Sequence, residues 1–335
     1  MIYEQCAHKQ LTNIAIFVFM FDYTCIDLFL RYYAFGYDNN FMTKRELNFF
    51  KYRNFAYIVS TIFIIIAMIV LLLRGLNYGI DFKGGVIFEI RTYNHDISDI
   101  RHALDDLGFE SFQVQTLGDM SNDYLIKLKL EEEMTTGFAN IEEIKNQIFE
   151  ALNDDVVFRK TDFVGPKIGL ELVKKSLIAV FLSLFGILGY VGFRFDFKMG
   201  ISAIIALVHD VFLIFCFYVI TQLEFNTSSI AVMLIILGYS INDTVVVFDR
   251  VRENKRKHHY TSIIPLINQS VSQTLRRTII TSFTTLIVTV AIALFGGPGL
   301  RDFSYALCFG IVIGTYSTIF IASSLYAIFC DRDIS

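Results

Sequence analysis

Five stretches of this chain are apolar over the length a helix needs to cross a lipid bilayer, and nothing else in it restricts the fold so strongly. They run from Phe55 to Leu73, Ser176 to Phe193, Ser228 to Phe248, Thr278 to Gly297 and Phe303 to Cys330. A sixth, Met199 to Leu223, joins them if His209-Asp210 is tolerated inside it. In lipid every backbone amide must find its partner within the protein, so such runs fold as helices. With 54% hydrophobic residues and 3 prolines in 335 positions, the chain is too apolar for a water-soluble enzyme. The expected fold class is a polytopic α-helical membrane protein of six transmembrane helices, with one external α+β domain between helices 1 and 2.

Loop charges give the orientation. With the residues before Phe55 on the cytoplasmic side, that side collects Lys44, Arg45, Lys51, Arg53, Arg194, Lys198, Arg250, Arg252, Lys255, Arg256, Lys257 and Arg332. The other side holds Arg301 with the flanking Arg74, Lys174 and Lys175. The positive-inside rule then places both termini in the cytoplasm and the segment from Arg74 to Lys175 outside. That segment carries 19 acidic and 12 basic side chains, a balance that argues against nucleic acid as a partner. The expected organisation is an N-terminal extension over 1–41, a cytoplasmic lead-in and first span over 42–74, a periplasmic domain over 75–172, a five-helix bundle over 173–330 and a cytoplasmic tail over 331–335. Leu11 to Phe35 is aromatic but interrupted by Asp22, Asp27 and Arg31. Three readings stay open for it: sequence ahead of a natural start at Met42, an interfacial helix, or a seventh span.

The external segment has its own periodicity. Val86 to Thr92 alternates as a strand, Ile97 to Leu107 has helical spacing, and Phe112 to Thr116 reads as strand. Tyr124 to Leu130 alternates again after the turn-rich Gly118 to Asn122, Ile141 to Leu152 is amphipathic, and Val156 to Phe163 is a last strand. This β-α-β-β-α-β order is the ferredoxin-like split unit, which hosts many functions and names none. In the last span Ala306, Gly310, Gly314 and Thr318 recur at every fourth position, a face that lets two backbones come close. Thr281, Thr285 and Thr289 form a polar line above Arg277, read as interhelical hydrogen bonding and as the wall of a hydrated path. The five cysteines lie in the tail or in membrane runs, so free thiols rather than disulfides are expected.

Asp243 is the most telling single residue. It lies five residues inside the otherwise uncharged run Ser228 to Phe248, about 8 Å below its end at 1.5 Å per residue. An ionised group near the middle of a span costs roughly 2.5–3.5 kcal/mol on insertion scales, so such residues usually serve proton transfer, ion transfer or substrate contact. A structural ion pair with Arg277 is the plainer alternative. His209 and Asp210 divide evenly between a relay and a packing role. Asp81 with Gly84 and Gly85 reads as the turn that takes the chain out of the membrane, with contact to a partner protein as the alternative. The basic stretch Arg250 to Lys257 reads as a solvated helix extension touching anionic lipid.

Several segments, taken in order, carry a family resemblance. They are Gly79-Ile80-Asp81-Phe82-Lys83-Gly84-Gly85 after the first span, Val164-Gly165-Pro166 with Gly169-Leu170-Glu171-Leu172 before the second, and Ala206-Leu207-Val208-His209-Asp210 in the third. Gly238-Tyr239-Ser240-Ile241-Asn242-Asp243-Thr244-Val245-Val246-Val247-Phe248-Asp249-Arg250 follows in the fourth, and Arg277-Thr278 with Thr281-Ser282 and Thr284-Thr285 in the fifth. From about Phe50 to Phe329 the chain resembles the SecF members of the SecD/SecF family, relatives of the resistance-nodulation-division transporters. The resemblance implies a subunit of the SecDF accessory complex, in the cell inner membrane, that uses the proton motive force to promote protein export through SecYEG. It places the family's membrane acid on Asp243 and its basic partner on Arg277 rather than Arg276. It implies as partners a SecD-like subunit, the SecYEG channel, YajC and exported polypeptides, beside membrane lipid, and no nucleic acid.

The chemistry of that pair suits the expectation. Low dielectric favours a neutral carboxyl and a guanidinium within reach favours the charged one, so changing their separation loads and unloads a proton. One charge moved across the membrane potential carries about 2.3 kcal/mol per 100 mV. Two other functions compete: an intramembrane aspartyl protease using Asp210 and Asp243, and half of a small-molecule proton-coupled transporter. The protease reading lacks its Gly-x-Gly-Asp sequence, because Tyr239 follows Gly238 and Asn242 precedes Asp243. Six spans suit half of a pseudo-symmetric unit. No nucleotide loop, zinc-ligand spacing or Ser/His/Asp arrangement is apparent along the chain, so no enzymatic activity, metal or cofactor is expected. The sequence leaves the coupling ion open between proton and sodium.

Overall fold

A computed structural model describes residues 48–109, 112–117, 122–128, 138–152, 156–257 and 262–331. The expectations for residues 1–41, a start at Met42 and the turn over 118–121 lie outside the described residues. A short 3-10 turn, Phe49–Tyr52, leads into helix α1 (Arg53–Arg74). The α+β domain follows as β1 (Gly85–Arg91), α2 (Ile97–Asp106), β2 (Phe112–Thr116), β3 (Asp123–Leu128), α3 (Phe138–Ala151) and β4 (Val157–Val164). The chain then forms α4 (Pro166–Arg194), α5 (Phe197–Thr221), α6 (Thr227–Lys257), α7 (Ile263–Phe295) and α8 (Pro298–Tyr316). A π-helical stretch, Ser317–Ala322, joins α8 to α9 (Ser323–Asp331), and together these make the sixth span. Six helices are therefore long and apolar enough to cross a membrane, Phe197–Thr221 among them despite His209-Asp210.

The sheet order is β2-β3-β1-β4, antiparallel throughout, which is the ferredoxin-like topology expected of the element order. Its core face is the alternating set. Val86, Phe88 and Ile90 of β1 and Ile126 and Leu128 of β3 are fully buried, covered by Ile100 and Leu104 of α2 and Ile144 and Ile148 of α3. Asp96 caps α2 with Asp99 answering as the second half of a capping box. At one end of the sheet Asp123 accepts two hydrogen bonds from Arg91, at 2.5 and 2.7 Å, and one from Arg159 at 3.0 Å.

The glycine motif does more than turn the chain. Gly84 has φ 84°, and a Cβ on Gly85 would collide with the Leu128 carbonyl, so neither position accepts another residue without strain. Asp81 accepts the Thr227 amide at 3.0 Å, satisfying a free N–H where α6 begins. Gly79 and Phe225 extend the seam by backbone hydrogen bonds, Gly79 N–H to Phe225 C=O and Phe225 N–H to Asn77 C=O. On the far side of this joint Lys127 of β3 pairs with Glu224 at 2.6 Å, both ends largely buried. The small domain is thus tied to the α5–α6 connection at several points.

In the bundle, α5, α6 and the sixth span form the buried centre, whereas α4 and α7 present apolar faces outward: Phe181, Phe185 and Phe193 on one, Ile287, Val288 and Leu294 on the other. The expected small-residue face operates as read. A Cβ on Gly310 would sit 2.5 Å from Cγ1 of Ile236, and one on Gly314 would sit 3.2 Å from Cβ of Ser240, so α8 lies directly against α6. Of the described cysteines, 216, 308 and 330 are free, as expected of thiols packed among apolar groups.

Candidate functional site

Among the described residues two acids, Asp210 and Asp243, are buried between the spans, and the structure treats them very differently. Asp210, on α5, is inaccessible and fully engaged: Ser240 of α6 donates to its Oδ2 at 2.6 Å and Ser317 donates to the same oxygen at 2.7 Å. His209 Nδ1 lies 3.2 Å from its Oδ1. The other ring nitrogen, Nε2, meets Ser60 Oγ of α1 at 3.0 Å; Ser60 meets Tyr316 Oη at 3.1 Å, and Tyr316 donates to the Ala56 carbonyl at 2.6 Å. One continuous polar chain therefore crosses α1, α5, α6 and the last span. The π-helical stretch begins at Ser317, and such bulges occur mostly at functional positions.

Asp243, one turn beyond Ser240 on α6, is only 3% exposed, and its Oδ2 has no hydrogen-bond partner among the described residues. Thr278 Oγ1, on α7, is likewise buried and unpartnered. Nearby contacts link the same helices: Tyr239 Oη to Ser282 Oγ at 3.0 Å, Ser282 Oγ to Thr315 Oγ1 at 2.7 Å, and Thr244 to Thr318 at 2.9 Å. A buried charged group without a partner is costly.

Arg277, the expected partner of Asp243, lies within electrostatic reach of it without touching it. It is exposed and forms no ion pair among the described residues. The threonine line bonds both within its helix and across to α6, where Tyr239 meets Thr281 and Thr285. Thr281, Thr285 and Thr289 return their hydroxyls to carbonyls one turn back on α7, as hydroxyls within a helix commonly do, and Cys308 reaches across to Thr289 from α8.

Sequence reasoning left His209 and Asp210 between a relay and a packing role, and the structure brings the two into contact with each other. It missed Ser60, Ser240, Tyr316 and Ser317, which lie up to 149 residues from His209 along the chain. It also found no Ser/His/Asp arrangement, whereas Ser60, His209 and Asp210 do line up in that order. They do not form a hydrolytic site as they stand: Ser60 is 6% exposed and Tyr316 occupies the other side of its hydroxyl, so no substrate carbonyl reaches it. Asp81, Gly84 and Gly85 sit together at the seam between domain and bundle, far along the chain from the buried acids.

Six spans, a ferredoxin-like domain inserted after the first, and two acids buried between the spans define a class of membrane protein rather than a soluble catalyst. Residues 144–332 match the family described as protein export membrane protein SecD/SecF, C-terminal, and residues 69–92 match the SecD/SecF GG motif. The chain belongs to the SecD/SecF family. It is 39% identical over 290 residues to the protein translocase subunit SecF of Rickettsia bellii, covering 86% of this chain and 95% of that one. The same protein of Rickettsia akari is 39% identical over 86% of this chain and 94% of its own length. Among solved structures, SecDF of Thermus thermophilus, a translocon-associated membrane protein, superimposes with a TM-score of 0.73 at 34% identity, over 86% of this chain. A super-membrane-facing form of SecDF superimposes with a TM-score of 0.65, also at 34% identity and over 86% of this chain. This chain spans 39% of the length of each of those SecDF chains.

Proposed function

We propose that this chain is the SecF-like half of a SecDF-type accessory complex that draws on the proton motive force to promote protein export through a SecYEG channel. Asp243 is the group that takes up and releases the proton. The observation that carries this is its burial at 3% exposure with a carboxylate oxygen left unpartnered in the bundle. An acid kept for structure would be given donors, as Asp210 is. Arg277 acts by approaching and leaving rather than as a fixed counter-ion, in keeping with its exposed position. The Asp81–Thr227 and Lys127–Glu224 ties carry movement of α6 into the small domain, which on this reading faces the periplasm with both termini in the cytoplasm. A SecD-like subunit supplies what the SecDF chains contain beyond the matched part, and it covers outward apolar faces such as those on α4 and α7.

The geometry disfavours an aspartyl protease. Its two carboxyls must share a proton directly, and here Asp210 spends both oxygens on His209, Ser240 and Ser317. The test is reconstitution: the chain, tagged and purified with what accompanies it, is placed with the channel in vesicles, and export is followed with and without a proton gradient. Stimulation that needs both this chain and the gradient is expected. Equal export without the gradient, or recovery of the chain with neither a SecD-like protein nor the channel, overturns the reading.

A further inference from the structure

The polar chain around His209 contains more contacts than protons to fill them. Four contacts run in line: Ala56 C=O to Tyr316 Oη, Tyr316 Oη to Ser60 Oγ, Ser60 Oγ to His209 Nε2, and His209 Nδ1 to Asp210 Oδ1. A tyrosine, a serine and a neutral histidine bring three protons, and an ionised aspartate brings none. The Ser240 and Ser317 protons are already committed to Asp210 Oδ2. Tyr316 donates its proton to the Ala56 carbonyl at 2.6 Å, the shorter of its two contacts in this line. Ser60 must then donate to Tyr316, and His209 Nε2–H to Ser60. That leaves a bare Nδ1 facing Asp210 Oδ1 at 3.2 Å, two lone pairs opposed inside the bundle.

We propose that His209 and Asp210 form a second proton-binding site, holding one proton between Nδ1 and Oδ1 that ties α1, α5, α6 and the sixth span together. Whether the proton rests on the ring or on the carboxyl, the pair as a whole carries one proton more than a neutral histidine beside a carboxylate. Protonation forms one N–H or O–H bond and breaks none in the protein; release returns the proton to water and restores the opposed lone pairs. The groups facing the pair are Ser60 of α1, with Tyr57 three residues earlier, Tyr316 and Ser317 of the last span, and Ser240 of α6, with Asp243 three residues further on. No lysine or arginine pairs with Asp210 among the described residues, so the cation available to it is His209 itself. Loss of the proton opposes His209 to Asp210 and so loosens the tie through Ser60 to α1, while Ser240 and Ser317 keep Asp210 Oδ2.

The test reads the ring directly. The full chain in lipid, with 15N-labelled histidine and 13C-labelled aspartate carboxyls, is examined by solid-state NMR at neutral pH, and the His209→Asn spectrum identifies the His209 signals. The expected spectrum has Nε2 protonated, together with a protonated Nδ1 or a carboxyl carbon at the acid position for Asp210. A neutral ring protonated only at Nδ1, or a neutral Nε2–H ring beside an ionised carboxyl, overturns the proposal. Tyr316→Phe sharpens it. Without the phenol, Ser60 is free to donate to Nε2, two contacts need only two protons, and the ring should switch to neutral with its proton on Nδ1, a loss of one bound proton per chain. An unchanged ring in that variant also overturns the proposal. The site does not rest on the export reading: a switching ring in a chain whose export ignores the gradient leaves the site standing and removes only the proposed function.

Discussion

Replacing Asp243 by asparagine should make the protein more stable and less useful. The carboxyl is 3% exposed and one oxygen has no donor, so its ionised form carries an uncompensated desolvation cost. It lies about 8 Å from the end of its apolar run, and an unsatisfied buried polar group costs about 1–3 kcal/mol, more when charged. The amide keeps the shape and one oxygen while removing the charge, so Asp243→Asn should gain about 1–3 kcal/mol against thermal or denaturant unfolding in detergent. Gradient-driven export in reconstituted vesicles should fall to the level seen without a gradient. Arg277→Gln separates a working pair from a static one. A static pair broken at one end costs about 3–5 kcal/mol; an exposed arginine with no ion pair should change stability by only about 0.5 kcal/mol, yet export should still fall. An asparagine variant that is destabilised, or that exports with full response to the gradient, refutes the reasoning.

Gly310→Ala should cost about 1–3 kcal/mol by overpacking, because its methyl would press on Ile236, and the double variant with Ile236→Ala should cost less than the sum of the two in a thermodynamic cycle. The Arg91 guanidinium, with Arg159, holds the Asp123 carboxyl below the usual carboxylate range. Its folded value is depressed, so the stability it adds is complete above the unfolded value and disappears as pH falls through the folded one; hydrogen exchange of β1 and β3 should speed up over that acid interval, and less so in Asp123→Asn. A cysteine at Asn122 should react with an impermeant reagent in cells whose outer envelope is permeabilised, and labelling only after inner-membrane lysis would reverse the proposed orientation.

The spans were legible because lipid leaves the backbone no alternative to helix, and β1 and β3 because alternation sorts their residues to two faces. The sixth-span glycines were legible too, since a small residue at every fourth position has few other uses. What could not be read is which distant groups meet. Nothing near Asp81 announces Thr227, and nothing near Lys127 announces Glu224, because those ties depend on where the small domain sits on the bundle. The relation of Asp243 to Arg277 is of the same kind: spacing places an arginine on a helix line, but only the packing of α6 on α7 shows that its charge reaches Asp243 without a direct ion pair among the described residues. The span with His209-Asp210 looked doubtful because sequence counts a charge there, whereas the fold surrounds it with hydroxyls.

Those hydroxyls reach Asp210 because of residues that carry no chemistry of their own. Gly314 lets the last span approach the backbone of α6 beside Ser240, and Ser317 follows one turn later where the helix widens into its π-helical stretch. A side chain at Gly314 would push the two helices apart, and Ser240 and Ser317 could not then share one carboxylate oxygen. Ser240 lies three residues from Asp243, so the packing that satisfies the first acid also fixes the height and rotation of the second. One acid is fully supplied with donors and the other is left short on the same helix. Asp210 can therefore anchor α6 while Asp243 changes its protonation, and moving the anchor by its own proton would alter the environment of the other acid without any contact between them.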